Sequence, residues 1–174
     1  MINSADLPPL ALSVRQPWAW AIIHAGKDIE NRGVSFEHKR GYAGLKRRIA
    51  IHASSGMTRA EYQDGHDFMA QIGVKCPNPA DLVRGAIIGA VTVVDVKRNH
   101  HSAWFFGPLG LVLAQAEALA EPIPCSGMLG YFGWKPSGGE VTPPAKWMMP
   151  KTEISLSPKD SAILFATGHL PEDF

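Results

Sequence analysis

The sequence predicts an α+β fold, a small β-barrel or sandwich flanked by two or three helices. Three observations point there. Short runs rich in Ile, Val and Leu recur between turns that carry Gly and Pro, the strongest running from Gly85 to Val96. Few segments carry apolar residues at helical spacing. At 174 residues the chain has the length of one domain, enough to build a core with no disulfide or metal.

Residues 1–9 read as a disordered lead-in ending in Pro8-Pro9, residues 10–135 as the barrel domain, and residues 136–174 as a C-terminal extension that wraps the barrel or moves freely. Leu10 to Val14 is a short apolar strand. Pro17 opens a helix, where its missing N–H does no harm. Trp18, Ala21, Ile22 and Ala25 share one face of it, and Gly26 caps its end. Ile29 points inward from the segment Lys27 to Arg32. Gly33 to Lys46 is a basic loop, and Arg48 to Ala53 alternates as a strand. Thr58 with Glu61 three residues on matches a capping box, opening a helix lined by Phe68, Met69 and Ile72 and closed by Gly73. After the strand from Gly85 to Val96 come an aromatic segment from Trp104 to Gly110, strands at Leu111 to Leu113 and Leu119 to Pro124, and a closing run from Met128 to Trp134.

With 45% hydrophobic and 19% charged residues the composition is that of a globular protein, not a disordered one. The net charge of +1 is unevenly spread. From Lys27 to Arg48 the basic residues Lys27, Arg32, Lys39, Arg40, Lys46, Arg47 and Arg48 face only Asp28, Glu30 and Glu37, a local +4 that leaves −3 elsewhere. Concentrated positive charge suits an anionic partner, and equally suits a solvated loop. No apolar run reaches the roughly 18 residues of a membrane span. Met1 to Pro9 lacks the pattern of a signal peptide, and Cys76 and Cys125 read as reduced thiols, so the expected location is cytoplasmic.

Four segments together resemble the ASCH family, whose barrel is related to PUA domains. They are Leu12 to Ala19 (LSVRQPWA), Gly26 to Arg32 (GKDIENR), Ile49 to Ala53 (IAIHA), and Gly85 to Gly89 running on through Val94-Asp95 to Trp104 to Gly110 (WFFGPLG). The closing Pro122 to Phe132 also fits, so the resemblance covers roughly residues 10–134. It implies a PUA-like β-barrel with a helix after the first strand and a cleft between helix and barrel. It also implies RNA binding or processing, and nuclease activity in some members. A shorter relative is an amidohydrolase on N4-acylated cytidine. Its pattern has a lysine matching Lys27 and a threonine where this chain has Glu30, a departure from the amidohydrolase pattern.

The candidate residues follow from chemistry and resemblance together. Lys27 and Arg32 have the charge to hold a phosphate. Glu30 between them can move a proton, which makes Lys27 and Glu30 the candidate catalytic pair; the plain alternative is a surface ion pair. Glu30 and Arg32 share a strand face, whereas Lys27 reaches it only through a bend. Arg15 can meet a phosphate, and Gln16 at a helix N-terminus can read a base edge with its amide. Trp18 reads first as core. His52 points away from the side of Ile49 and Ile51, as a proton shuttle or as a structural histidine. Of the three adjacent aromatics, Phe105 is expected in the core and Trp104 as the platform on which a base stacks.

No cofactor is implied. His100-His101 and the two cysteines lack metal-ligand spacing. Gly85 and Gly89 lack the Lys-Ser/Thr of a phosphate loop, and Ser126 lacks a Gly-x-Ser-x-Gly setting. The expected partner is single-stranded RNA or a modified nucleoside or nucleotide. It would sit in a cleft between the helix opened by Pro17, the Lys27 to Arg32 strand and the Trp104 to Gly107 segment. A hydrolase using Lys27 and Glu30 is the alternative. A protein-interaction adaptor using Trp147, Met148 and Met149 is a third.

Overall fold

A computed structural model describes residues 2–38 and 47–150, and the basic positions Lys39, Arg40 and Lys46 lie outside them. The fold is α+β, a six-stranded sheet curled into a half-barrel with helices against it. The strands are β1 (Leu10–Val14), β2 (Ile29–Arg32), β3 (Arg47–Ala53), β4 (Ala86–Lys97), β5 (Leu109–Pro124) and β6 (Tyr131–Gly133). They are ordered β2-β5-β4-β3-β1-β6 across the sheet. The helices are α1 (Trp18–His24), the single turn α2 (Ser35–His38) and α3 (Arg59–Gln71). Among the described residues no helix is long and apolar enough to cross a membrane.

Alternation decides which way each strand faces. Leu12 and Val14 of β1, Ile49 and Ile51 of β3, and Leu109, Leu111 and Leu113 of β5 bury one face of the sheet against Ala19, Ile22 and Ile23 of α1. The other face carries Ala11, Ala50, Ile87, Cys125 and Phe132. A third apolar group seats α3 on the edge of the sheet through Met69, with Ala21, Ile29 and Trp104. α3 reaches the turn before α1 at Gly65, where a Cβ would fall within 2.8 Å of Pro17 Cδ; only a glycine permits that approach. Its start is the expected capping box: Thr58 Oγ1 accepts from Glu61 N–H at 3.1 Å, and Glu61 Oε2 accepts from Thr58 N–H at 2.8 Å.

Several expectations need correcting. The lead-in is not loose, because Ile2 is buried with Ala90 and Leu119 and donates its N–H to Ala118 O at 2.9 Å. Part of the basic loop, Ser35–His38, is a helical turn whose Phe36 packs on Tyr131 with ring centroids 5.4 Å apart. The two strands expected at Leu111 to Leu113 and Leu119 to Pro124 are one, β5. Its middle is rich in Ala, a weak strand former, and pairing with β4 carries it through register shifts. For the extension both wrapping and free movement were expected, and its described part packs on the domain. Arg84, itself buried, donates to Ser55 O at 2.8 Å and to Pro143 O. Met148 is buried with Met57 and Leu82, and Trp147 lies under the Arg59 guanidinium at 5.6 Å. Of the apolar stretch considered for an adaptor, Met149 stays exposed.

Candidate functional site

α1 ends at Ala25, and Gly26 follows at φ +67°, a left-handed conformation that costs an L-residue about 1–2 kcal/mol. That turn sends Lys27 back under the helix, its N–H returning to Ala21 O at 3.1 Å. This is the bend that brings Lys27 to the Glu30 face. Lys27 Nζ donates to Glu30 Oε2 at 2.9 Å and to Ile29 O, and the Arg32 guanidinium meets Glu30 Oε1 at 3.0 Å. Lys27 and Glu30 are buried, so the trio is an internal charge cluster, not a surface ion pair. Gly26→Ala is expected to lower stability by about 1–2 kcal/mol through backbone strain alone, because its Cβ would meet nothing within 4 Å. A denaturant titration measures it.

Burial alone would raise the Glu30 carboxyl. The charges of Lys27 and Arg32 and the hydrogen bonds both donate outweigh it, and hold Glu30 below its ordinary value of 4.5. At neutral pH Glu30 is a carboxylate, suited to accepting a hydrogen bond or a proton and unsuited to delivering one.

These groups line a cavity of about 450 Å³ together with Arg15, Gln16, Trp18 and Phe106. Trp18 and Phe106 form its apolar wall, with ring centroids 6.0 Å apart, and Lys27 Nζ lies 5.9 Å from the Trp18 ring. Asn31 sets the position of Phe106. Its Nδ2 donates to Trp104 O at 2.8 Å, and its Oδ1 accepts from Phe106 N–H at 3.1 Å. A second cavity of about 500 Å³ adjoins the first. The two share Ser13, Arg15 and Arg32, and the second adds His52, Ser54, Ser55, Gly56 and residues 127–130.

The structure therefore brings Arg15, Gln16, Lys27, Glu30 and Arg32 to one cavity and places His52 in its neighbour. Trp104 is not on the cavity wall. Only 7% exposed, its indole is packed with Ala21, Ile29 and Met69, while Phe106 at 59% exposure turns outward. Adjacent aromatics in a loop cannot share one direction, and the Asn31 bonds select which of them faces the cleft. Gln16 is buried, its amide already engaged by the fold: Nε2 donates to Val83 O at 2.7 Å and Oε1 accepts from Trp20 N–H at 2.9 Å. Arg15 is half exposed and paired with Glu61 Oε2 at 2.9 Å. His52 does lie away from Ile49 and Ile51, against Phe132 at 5.8 Å between ring centroids. The spacing of charges in β2 signalled the cluster. Phe106, Asn31 and Ser13 carried no comparable signal.

Neither thiol is a ready nucleophile. Burial pushes Cys76 up to about 11 and also raises Cys125. Among the described residues no group of three or more His, Cys, Asp or Glu side chains could hold a metal ion. Compared with known families and curated proteins, the chain matches no family model and no curated sequence.

Proposed function

We propose that this chain is an ASCH-type, PUA-like barrel whose double cavity binds single-stranded RNA or a modified nucleotide, in a cytoplasmic protein. One observation carries the reading: the Arg15 and Arg32 guanidiniums stand where the two cavities join, and one of those cavities has an aromatic wall. Guanidinium groups match phosphate oxygens in forked geometry, and an aromatic wall takes a base without regard to sequence. A phosphate at the junction puts one base against Trp18 and Phe106 and leaves the second cavity for the next nucleotide. Glu61 and Asp64 on the rim oppose phosphate, so the fit is to a strand end or short segment, not to a long polyanion track. The two free thiols, Cys76 and Cys125, accord with a reducing compartment.

Titration with a short single-stranded RNA tests this. Affinity is expected to fall steeply with added salt, as phosphate contacts release counterions, and Arg15→Ala is expected to reduce the salt slope by about 1. Absence of binding at low salt, or binding indifferent to salt, removes the reading.

A second reading is a hydrolase of RNA or of acylated cytidines. The observation favouring it is a carboxylate held ionised beside an ammonium on a cavity wall. Glu30 would act as base, and Lys27 would stabilise developing negative charge. Glu30→Gln separates the two readings, since a hydrolase loses turnover while a binding module keeps its affinity.

A further inference from the structure

We propose that Ser13 and His52 form a nucleophile–base pair at the junction of the two cavities, able to transfer the acyl group of esters that carry an anionic substituent. This site uses neither Lys27 nor Glu30, and it stands whether or not the cleft takes nucleotides.

The pair is created by register. β1 runs parallel to β3, and Ser13 lies directly beside His52. Side chains in register on one face of neighbouring strands touch, and Ser13 Oγ is 3.0 Å from His52 Nδ1. The other ring nitrogen settles the direction of that bond. His52 Nε2 lies 3.0 Å from Cys125 O. A carbonyl only accepts, so Nε2 carries the proton, and in the neutral ring Nδ1 is then a bare lone pair. Ser13 must therefore donate its hydroxyl proton to His52. A nucleophile, a base within hydrogen-bond reach and a group orienting that base are the parts of an activated serine. Here the Cys125 carbonyl is the positioning group.

The surroundings fit the role. Burial holds His52 below its ordinary value against the opposing pull of the Cys125 carbonyl, so the ring is a free base at neutral pH. Ser13 lines both cavities, flanked in each by Arg15 and Arg32. Arg32 Nη2 is anchored on Ser13 O at 2.9 Å, which holds a cation beside the nucleophile. Gly127 passes so close that a Cβ there would fall 2.7 Å from His52 Nδ1 and 2.8 Å from Ser13 Oγ, so any side chain at this position would cover the pair.

In the reaction, Ser13 Oγ bonds to the acyl carbon and its proton passes to His52 Nδ1. The bond from acyl carbon to leaving oxygen breaks, and His52 returns the proton to the departing alkoxide. Water then attacks the acyl-serine, giving its proton to His52, which restores it to Ser13 as the acid leaves. The two guanidiniums hold the anionic substituent, a carboxylate or a phosphate.

The test is labelling of the full chain with a fluorophosphonate, followed by peptide mapping. One adduct is expected on Ser13, absent in Ser13→Ala and formed at least about tenfold more slowly in His52→Gln, in line with the worth of a general base. If His52→Gln fails to fold, labelling of the wild-type chain with and without denaturing urea serves instead: the adduct on Ser13 is expected only in the folded chain, where His52 stands beside it, and equal labelling in urea overturns the pair. In parallel, the p-nitrophenyl monoester of succinic acid is expected to turn over faster than p-nitrophenyl acetate. Competition by inorganic phosphate as against free succinate identifies which anion the guanidiniums prefer. A folded wild-type protein without an adduct on Ser13, or one labelled equally fast in His52→Gln, overturns the pair. Equal turnover of the two esters overturns the substrate class.

Discussion

Lys27→Ala is expected to destabilise the protein by about 3–5 kcal/mol, the range for removing one partner of a buried ion pair and leaving the other charge uncompensated. Glu30 stays buried in that variant with only Arg32 to meet it. Lys27→Ala combined with Glu30→Gln is expected to recover a large part of the loss, because the stranded charge is gone. A double-mutant cycle by urea denaturation reads this directly, and additive losses would show that the trio is not one electrostatic unit. The same cluster sets a pH dependence. Glu30 titrates below 4.5 in the folded protein, so its stabilisation is complete above that value and disappears as pH falls through the folded value. Glu30→Gln is expected to flatten that part of the acid limb.

Phe106→Ala and Trp104→Ala are expected to fail in opposite ways. Trp104 fills the space between α3 and the sheet edge, and truncating it should cost about 3–5 kcal/mol of stability. Phe106 is largely exposed, so Phe106→Ala should leave the melting temperature within a few degrees of wild type. It should weaken binding of a short RNA by about 5- to 100-fold, the worth of one base stacked on an aromatic ring, and leave the salt slope unchanged. Isothermal titration at two salt concentrations separates these effects. A Phe106→Ala variant that binds as well as wild type removes the aromatic wall from the argument.

What could be read from the sequence divides along physical lines. β3 was legible because its apolar residues alternate, β1 and β4 because they are short apolar runs between turns, and α3 because Thr58 and Glu61 announce its start. β5 was read as two pieces because the run from Ala114 to Ala118 has little strand preference of its own; its conformation comes from the partner strand. The docking of Ile2 rests on one apolar side chain, below the length at which any period shows. Within the candidate site the same split holds. Lys27, Glu30 and Arg32 are neighbours in sequence, so local spacing could bring them together. Ser13 and His52 meet across 39 positions through strand register, which no local pattern encodes. The choice between Trp104 and Phe106 is made by Asn31, more than 70 positions away.

Glu61 Oε2 accepts from two donors at once, Thr58 N–H in the first turn of α3 and the Arg15 guanidinium on the rim of the cleft. One oxygen thus belongs to a helix start and to a binding surface. An anion that draws Arg15 away returns that oxygen wholly to the helix. By reciprocity, whatever weakens the helix start must alter the affinity of the anion by the same factor. The coupling is bounded by the worth of an exposed ion pair, under about 1 kcal/mol, or roughly fivefold in affinity. Within that bound, occupancy of the cleft and order in the first turn of α3 are coupled, and amide exchange in residues 58–62 would report the filling of the cavity that Glu61 borders.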